Sequence, residues 1–380
     1  MKILHIATLI TPDGAYGGPI RVALNQLREL ALLGHEVELV AGTRGYGENP
    51  PKSIDGVPVT LFDVRQPIPS TGYAGLMAPG LLRYVRRRLR DVDIVHVHIA
   101  RDLITMPVAA MVARSCTPLA VQPHGMIIEP RNKLGRFFDF VMTRKTLRAA
   151  KVTFALTDAE SVSLNNVARS RIEIERIING VPIAVEAPSE PSKLDVLFLA
   201  RLQERKRPTL FVEMAIRLLD EGIDATFSLV GPDEGEGPAV TKLIKESDKA
   251  ENIRWEGALA PDLTLARIAA CTVYVLPSVG EVFPMSVLEA MSVGRAIVIT
   301  SSNGLAPPLR ESQAALIVDE TLDELISATR ELIRDATLRQ RLGANARGAA
   351  ERQYTMRSVV AQLENKYSIY VSESRVPRSA

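Results

Sequence analysis

A chain of 380 residues, 46% apolar and 24% charged, is long enough for two ordinary globular domains. Its 46 Lys and Arg against 44 Asp and Glu leave a net charge of +2, too little to draw it onto nucleic acid through a global field. Two cysteines in apolar text, Cys116 and Cys271, form neither a disulfide framework nor a metal spacing and fit a reducing cytoplasm.

The opening text MKILHIATLI is followed at once by a proline, an aspartate and glycines, without a small-residue cleavage site. It therefore reads as a buried strand over 1–10 rather than a signal peptide. No apolar run reaches the ~18–20 residues that span a bilayer. A loop over 11–19 holds Asp13, Gly14, Gly17 and Gly18, and an amphipathic helix over 20–33, closed by Gly34, leads to a strand over 35–43. This is a βαβ unit, although its glycines are not in the G-x-G-x-x-G order of a dinucleotide site. The adjacent Gly17 and Gly18 either let backbone amides approach a ligand or simply make a tight turn.

Residues 44–80 are rich in Gly and Pro and hold one short strand, PVTLFDV. The helix over 81–90, LLRYVRRRLR, is strongly basic; most such runs are solvated faces, and a minority rest on anionic lipid or a phosphate-bearing partner. A strand over 93–99 carries His96 and His98, a helix spans 103–114, and a strand over 118–122 ends at Pro123-His124-Gly125. A histidine beside a glycine at a strand's carboxyl end is where an open α/β sheet places ligand contacts. The alternative for each histidine is a satisfied structural residue, the reading preferred for His96. Residues 126–150 read as helix with basic and aromatic side chains (Arg131, Lys133, Arg136, Phe137, Phe138, Arg144, Lys145, Arg148). A strand over 152–157, a helix over 158–166 and an Asn179-Gly180 turn complete this half.

The Pro-, Ser- and Glu-rich stretch 184–193 reads as a linker. A second α/β series follows, with strands over 194–200, 225–230 and 253–257 and helices over 208–221, 239–249 and 263–270. Arg201, Arg205, Lys206 and Arg207 directly follow its first strand. Cations at a strand end can clamp a diphosphate and stabilise its departure, whereas a basic loop standing alone is more often solvated. Residues 277–299 read as strand, loop, helix and strand, with Pro284 in the first turn of the helix and Gly294 at its end. With Glu281 on the loop and Glu289 about one and a half turns into the helix, both can face a ligand at the helix N-terminus. There they could read sugar hydroxyls beside a diphosphate; the plainer alternative is a surface glutamate and an acidic first turn. A loop over 302–309, a strand over 315–318, two helices over 321–350 and an amphipathic helix over 355–371 precede a tail from 372.

The fold class is thus α/β. Two successive doubly wound, Rossmann-like domains, 1–185 and 186–354, face a cleft, and 355–371 and 372–380 form a closing helix and tail. In such sheets ligands sit at the carboxyl ends of the strands.

Taken together, these residues resemble the retaining glycosyltransferases of family four, which have the GT-B fold. The resemblance is carried by Gly17-Gly18, DIVHVHI ending in His98, His124 in PHGM, Glu160 in TDAE, Asn179-Gly180 in INGV, Arg201 and Lys206, GPDEG, and the pair Glu281 and Glu289. The text PHGMIIEP with its downstream basic and aromatic residues is similar to members that build bacterial surface polysaccharides. The resemblance implies that Arg201 and Lys206 grip the diphosphate of a nucleotide-sugar donor and that Glu289 accepts from the ribose. Glu281 would contact the donor sugar, and His124 the transferred sugar from the other domain. Backbone at Phe283, Pro284 and Met285 would hold sugar and phosphate, with Gly17 and Gly18 near the diphosphate or acceptor. It further implies a last helix that crosses back to the first domain, a glycan or lipid-linked acceptor, and no metal or other cofactor. Localisation would be cytoplasmic, with a peripheral position on an anionic membrane face as a further expectation. Ala200, Arg207 and Pro284 stand where that family commonly has glycine. Two other classes were open: a GT-B sugar-nucleotide epimerase, which needs further acid and base groups, and a non-catalytic sugar-nucleotide-binding protein, which could lose a glutamate or a clamp cation.

Overall fold

A computed structural model describes residues 1–12, 17–67, 72–130, 132–183, 193–260 and 263–375. Asp13, Gly14, Arg131, all but the last residue of the expected linker and the end of the tail lie outside them. Among the described residues, 1–180 with the helix after 356 make one compact unit, and 181–355 make a second.

In the first unit the chain runs β1 (Lys2–Ile10), α1 (Gly17–Leu32), β2 (Glu36–Thr43), β3 (Ser53–Ile54), β4 (Val57–Asp63), α2 (Pro79–Arg88), β5 (Ile94–His98), α3 (Thr105–Val112) and β6 (Leu119–Gln122). It continues through α4 (Lys133–Phe138), a π-helical turn over 139–143, α5 (Arg144–Ala149), β7 (Val152–Ala155), α6 (Asp158–Ala168) and β8 (Ile174–Arg176). The sheet order is β3-β4-β2-β1-β5-β6-β7-β8, parallel except for the β3–β4 hairpin. The second unit holds β9 (Asp195–Leu199), α7 (Pro208–Asp220), β10 (Thr226–Val230), α8 (Gly237–Glu246), β11 (Ile253–Trp255), α9 (Thr264–Ala269) and β12 (Val273–Leu276). Then come α10 (Met285–Ser292), β13 (Ala296–Thr300), α11 (Ala306–Glu311), β14 (Leu316–Val318), α12 (Leu322–Arg334) and α13 (Ala336–Gln353). Its sheet is wholly parallel, in the order β11-β10-β9-β12-β13-β14. The last helix, α14 (Met356–Arg375), returns to the first unit.

Parallel strands buried on both faces read as continuous apolar text, which is why both halves were legible as α/β. On β1, Ile3 and Ala7 face a core shared with α1 and α14, where Tyr367 is fully buried. Leu4 and Ile6 face the opposite core with α2, α3 and Leu147 of α5. In each sheet the chain first builds outward from one strand and then crosses to that strand's other side. The crossing lies between β1 and β5 in the first unit and between β9 and β12 in the second, and there the loops diverge and leave room for side chains.

Four local expectations change. Gly17 and Gly18, read as loop, are the first two residues of α1. Residues 306–309, read as the end of a loop, open α11 (Ala306–Glu311), because Pro307 and Pro308 sit in a first turn that needs no donor from them. Residues 126–130 are not helical, and the helix that follows is interrupted by the π turn. The final helix runs to Arg375, beyond residue 371.

Candidate functional site

In the second unit, the loop after β9 bends through a 3₁₀ turn over Glu204–Lys206 and then through Arg207, whose φ of 55° is left-handed. That backbone suits glycine and costs about 1–2 kcal/mol for other residues, so Arg207 bears strain where the related family has glycine. The loop after β12 runs beside it, and the Val279 N–H donates to the Arg205 carbonyl at 3.0 Å. Gly304 fixes this second loop from behind: its N–H donates to the Glu281 carbonyl at 2.7 Å, and a Cβ there would lie 2.0 Å from the Val282 oxygen. Held in this way, Glu281 is 7% exposed and its carboxylate meets Lys206 Nζ at 2.9 Å and an Arg205 guanidinium nitrogen at 3.2 Å. Burial pushes the Lys206 ammonium down from its ordinary value; the Glu281 charge opposes this, and Arg205 and Arg201 add to it.

Arg201 is turned elsewhere. Its Nη1 lies 2.8 Å from both carboxylate oxygens of Glu234, in the loop after β10. That loop is packed so tightly on the first that a Cβ at Gly231 would lie 2.0 Å from the Ala200 oxygen. Pro284 is the residue before α10, with φ −72° and ψ 122°, so Met285 opens the helix and Glu289 sits just over one turn in. Glu289 is buried. The Tyr274 hydroxyl joins these parts, donating to the Leu199 carbonyl at 3.2 Å and accepting from Ser286 Oγ at 2.7 Å. Burial pushes its phenol far above the usual range, and the charges of Glu289 and Glu281 push the same way. Phe283 packs its ring on Tyr354, with centroids 5.9 Å apart.

The first unit places a different cluster at its own crossing point. His5 and His96 are direct cross-strand partners, and His98 follows on the same face of β5. His124 has φ 53° and precedes Gly125 at φ 76°, a sharp bend after β6. Glu160, in the first turn of α6, accepts from the Gly125 N–H at 2.6 Å and the Leu156 N–H at 2.7 Å and so pins that bend. Burial raises the Glu160 carboxyl above its usual range, and those two N–H groups oppose the shift. Ring nitrogens then link in sequence: His124 Nε2 to His98 Nδ1 at 2.8 Å and His98 Nε2 to His5 Nδ1 at 3.0 Å. His5 Nε2 meets the Tyr367 hydroxyl of α14 at 3.2 Å, and that hydroxyl meets His96 Nδ1 at 2.5 Å. Burial lowers the basicity of all four imidazoles, so all four are neutral at pH 7. His5, His96 and His98 are also the described residues whose ligand atoms approach within 4.8 Å of one another, although the links above already occupy nitrogens of His5 and His98.

Of the residues singled out in the sequence, Lys206 and Glu281 meet, and Phe283, Pro284, Met285 and Glu289 continue from the same loop into α10. Arg201 lies in the neighbouring loop, paired with Glu234. His124, Gly17 and Gly18 belong to the first unit. Tyr274, Ser286 and Gly304 were not singled out, and Glu234 appeared only within the motif GPDEG, with no partner assigned. A tyrosine within an apolar strand was a usable signal, since a buried hydroxyl needs a partner.

Two family models match this chain: one described as glycosyl transferase 4-like domain over residues 17–180, the other as glycosyl transferases group 1 over residues 193–335. The chain belongs to the family 4 glycosyltransferases. Among its relatives, alpha-D-kanosaminyltransferase of Streptomyces kanamyceticus is 25% identical, over 79% of this chain and 86% of that one. MMP alpha-(1->4)-mannosyltransferase of Mycolicibacterium hassiacum is 24% identical, over 90% and 92%. In fold the chain is similar to Anabaena HepE in complex with UDP, with a TM-score of 0.73 at 19% identity, covering 97% of this chain and all of that one. The GT-B architecture expected from the sequence is therefore present.

Proposed function

We propose that this glycosyltransferase moves a sugar from a nucleotide-diphosphate donor to a glycan or lipid-linked acceptor with retention of anomeric configuration, in the building of a polysaccharide. The observation that carries the reading is the pair of Lys206 with the buried Glu281, beside Arg205 and the start of α10, where fixed cations and a carboxylate share one loop junction. The UDP bound by HepE supports a nucleotide-sugar donor. In this reading Lys206 and Arg201 hold the diphosphate, and Arg201 exchanges Glu234 for phosphate. Glu281 takes hydroxyls of the donor sugar and Glu289 takes the ribose. Amides at Phe283 and Met285 contribute N–H groups, whereas Pro284 supplies none. His124, Gly17 and Gly18 serve from the first unit. The anomeric carbon–oxygen bond to phosphate breaks as the acceptor oxygen bonds on the same face, and the departing phosphate oxygen takes the acceptor proton. The Lys and Arg charges neutralise the leaving group, so the proposal includes no metal. Donor turnover measured over a panel of nucleotide sugars tests it. Lys206→Ala should lower kcat by two to three orders of magnitude, about 2.7–4 kcal/mol of barrier. Unchanged turnover in the Arg201→Ala, Lys206→Ala double variant contradicts it.

A membrane-facing role is favoured by one further observation. Ile128, Leu134, Phe137, Phe140 and Val141 are all exposed within 128–141, beside exposed Lys133, Arg136 and Lys145. We propose that this ridge rests on an anionic bilayer and presents the enzyme to its acceptor. Arg144 and Arg148 instead turn to carbonyls at the end of α6. No helix of the described residues is long and apolar enough to cross a membrane. Flotation with anionic vesicles should depend on Phe137 and Phe140, and equal behaviour on neutral vesicles contradicts the proposal.

A further inference from the structure

The linked rings of the first unit obey a proton count. Four neutral imidazoles and one phenol carry five transferable hydrogens, and the chain His124–His98–His5–Tyr367–His96 has four links. Each link takes one hydrogen, so the fifth sits at one end, on His124 Nδ1 or on His96 Nε2, or stays on a Tyr367 hydroxyl whose oxygen accepts from both His5 and His96. The links between imidazoles must point the same way, because a neutral imidazole that donates through one nitrogen accepts through the other, whereas the direction can change at the phenol oxygen, which can accept twice. The chain therefore has two uniform polarities and one mixed arrangement, in which Tyr367 accepts from both neighbours and His124 is again protonated at Nε2. His96 Nε2 is buried without a partner in every case, so the link lengths decide. A hydroxyl donor makes a shorter contact than an imidazole N–H. The His5–Tyr367 contact of 3.2 Å is that of an N–H donating to the phenol oxygen, which sets aside the one polarity that protonates His124 at Nδ1.

We propose that Tyr367, His5 and His98 are positioning residues that hold His124 in its Nε2–H form, with the Nδ1 lone pair turned outward as a hydrogen-bond acceptor. This rests on the reading above only for its consequence: a His124 that accepts selects a transferred sugar offering a hydroxyl donor at that point. The tautomer itself is independent of activity. His124 is the most accessible of the four rings, and the groups that set its proton lie in the core, the last of them on α14.

Long-range ¹H–¹⁵N spectra of the imidazoles in the full-length protein at pH 7.5 read the tautomer directly. Wild type should show His124 protonated at Nε2. In His96→Leu the Tyr367 hydroxyl keeps a single ring neighbour and finds an acceptor by donating to His5 Nε2. That reverses every link and moves the His124 proton to Nδ1, where solvent can accept it. In Tyr367→Phe neither polarity is enforced at the inner end, so the Nδ1–H form should grow from its wild-type level. An Nδ1–H or mixed His124 in wild type overturns the proposal, as does an unchanged tautomer in both folded variants. A stoichiometric metal on the purified protein also overturns it, since a metal would take the lone pairs that the links use. If the tautomer responds as stated but donor turnover never depends on His124, the proposal for His124 as a sugar contact fails and the positioning chain stands.

Discussion

The two units place opposite chemistry at equivalent points of their sheets. At the β9–β12 crossing the polar groups are charged: Lys206 and Arg205 meet Glu281, and Arg201 meets Glu234. At the β1–β5 crossing they are neutral: four imidazoles and a phenol linked in a row, their ionisation suppressed by burial. The same topology thus yields one cluster suited to fixing an anion and another suited to directing single hydrogen bonds without net charge. The charged cluster is built from three loops, those after β9, β10 and β12, and depends on glycines, because Gly304 and Gly231 lie where a Cβ would strike a carbonyl oxygen. The neutral cluster is built from strand register and a helix from the far end of the chain.

This contrast can be broken most sharply in the charged cluster. Lys206→Ala should cost about 2.7–4 kcal/mol of catalytic barrier in steady-state turnover. His96→Leu should change His124 spectroscopically with a smaller kinetic effect; the reverse ranking would erase the distinction. Gly304→Ala should destabilise the fold by about 3 kcal/mol in denaturant unfolding, since the carbonyl it strikes belongs to the Glu281 loop itself. Acid acts on the other cluster. Below pH ~6.5 the unfolded chain protonates histidines that the folded unit keeps neutral, so stability falls as pH falls, by about 1.4 kcal/mol per pH unit for each such histidine. Asp102 and Glu160, held above the usual carboxylate range by burial, act in the opposite sense from about pH 4 upward and reduce the net slope. Melting temperature measured from pH 7.5 to 5 should drop, and His96→Leu should flatten the drop. The smallest effect belongs to Arg207→Gly, which relieves left-handed strain and should stabilise by about 0.5–1 kcal/mol.

What was legible in the sequence was local. Apolar runs bounded by Gly and Pro marked the strands, and the text from Pro277 to Gly294 placed Glu281 on a loop and Glu289 inside a helix because Pro284 ends the one and permits the other. The Lys206–Glu281 contact spans two loops, and only a resemblance to a known family joined them. Arg201 shows the limit of that route, since its partner Glu234 comes from a third loop whose acidic text suggested no pairing. The histidine chain was illegible for a different reason. Its members meet through the register of β1 against β5 and through Tyr367, which lies 362 residues from His5. No spacing rule reaches across that distance. Gly17 and Gly18 were misread because a glycine pair signals a turn, whereas here it opens α1.

The central claim is that the cations beside Glu281 hold a diphosphate. Thermal-shift titration of the wild type and of Lys206→Ala with a nucleoside diphosphate and with the matching nucleoside tests it most directly, because a bound ligand raises the melting temperature according to its free energy of binding. The account predicts a shift with the diphosphate that far exceeds the shift with the nucleoside in wild type, and no such excess in the variant. An excess of equal size in both proteins would contradict it.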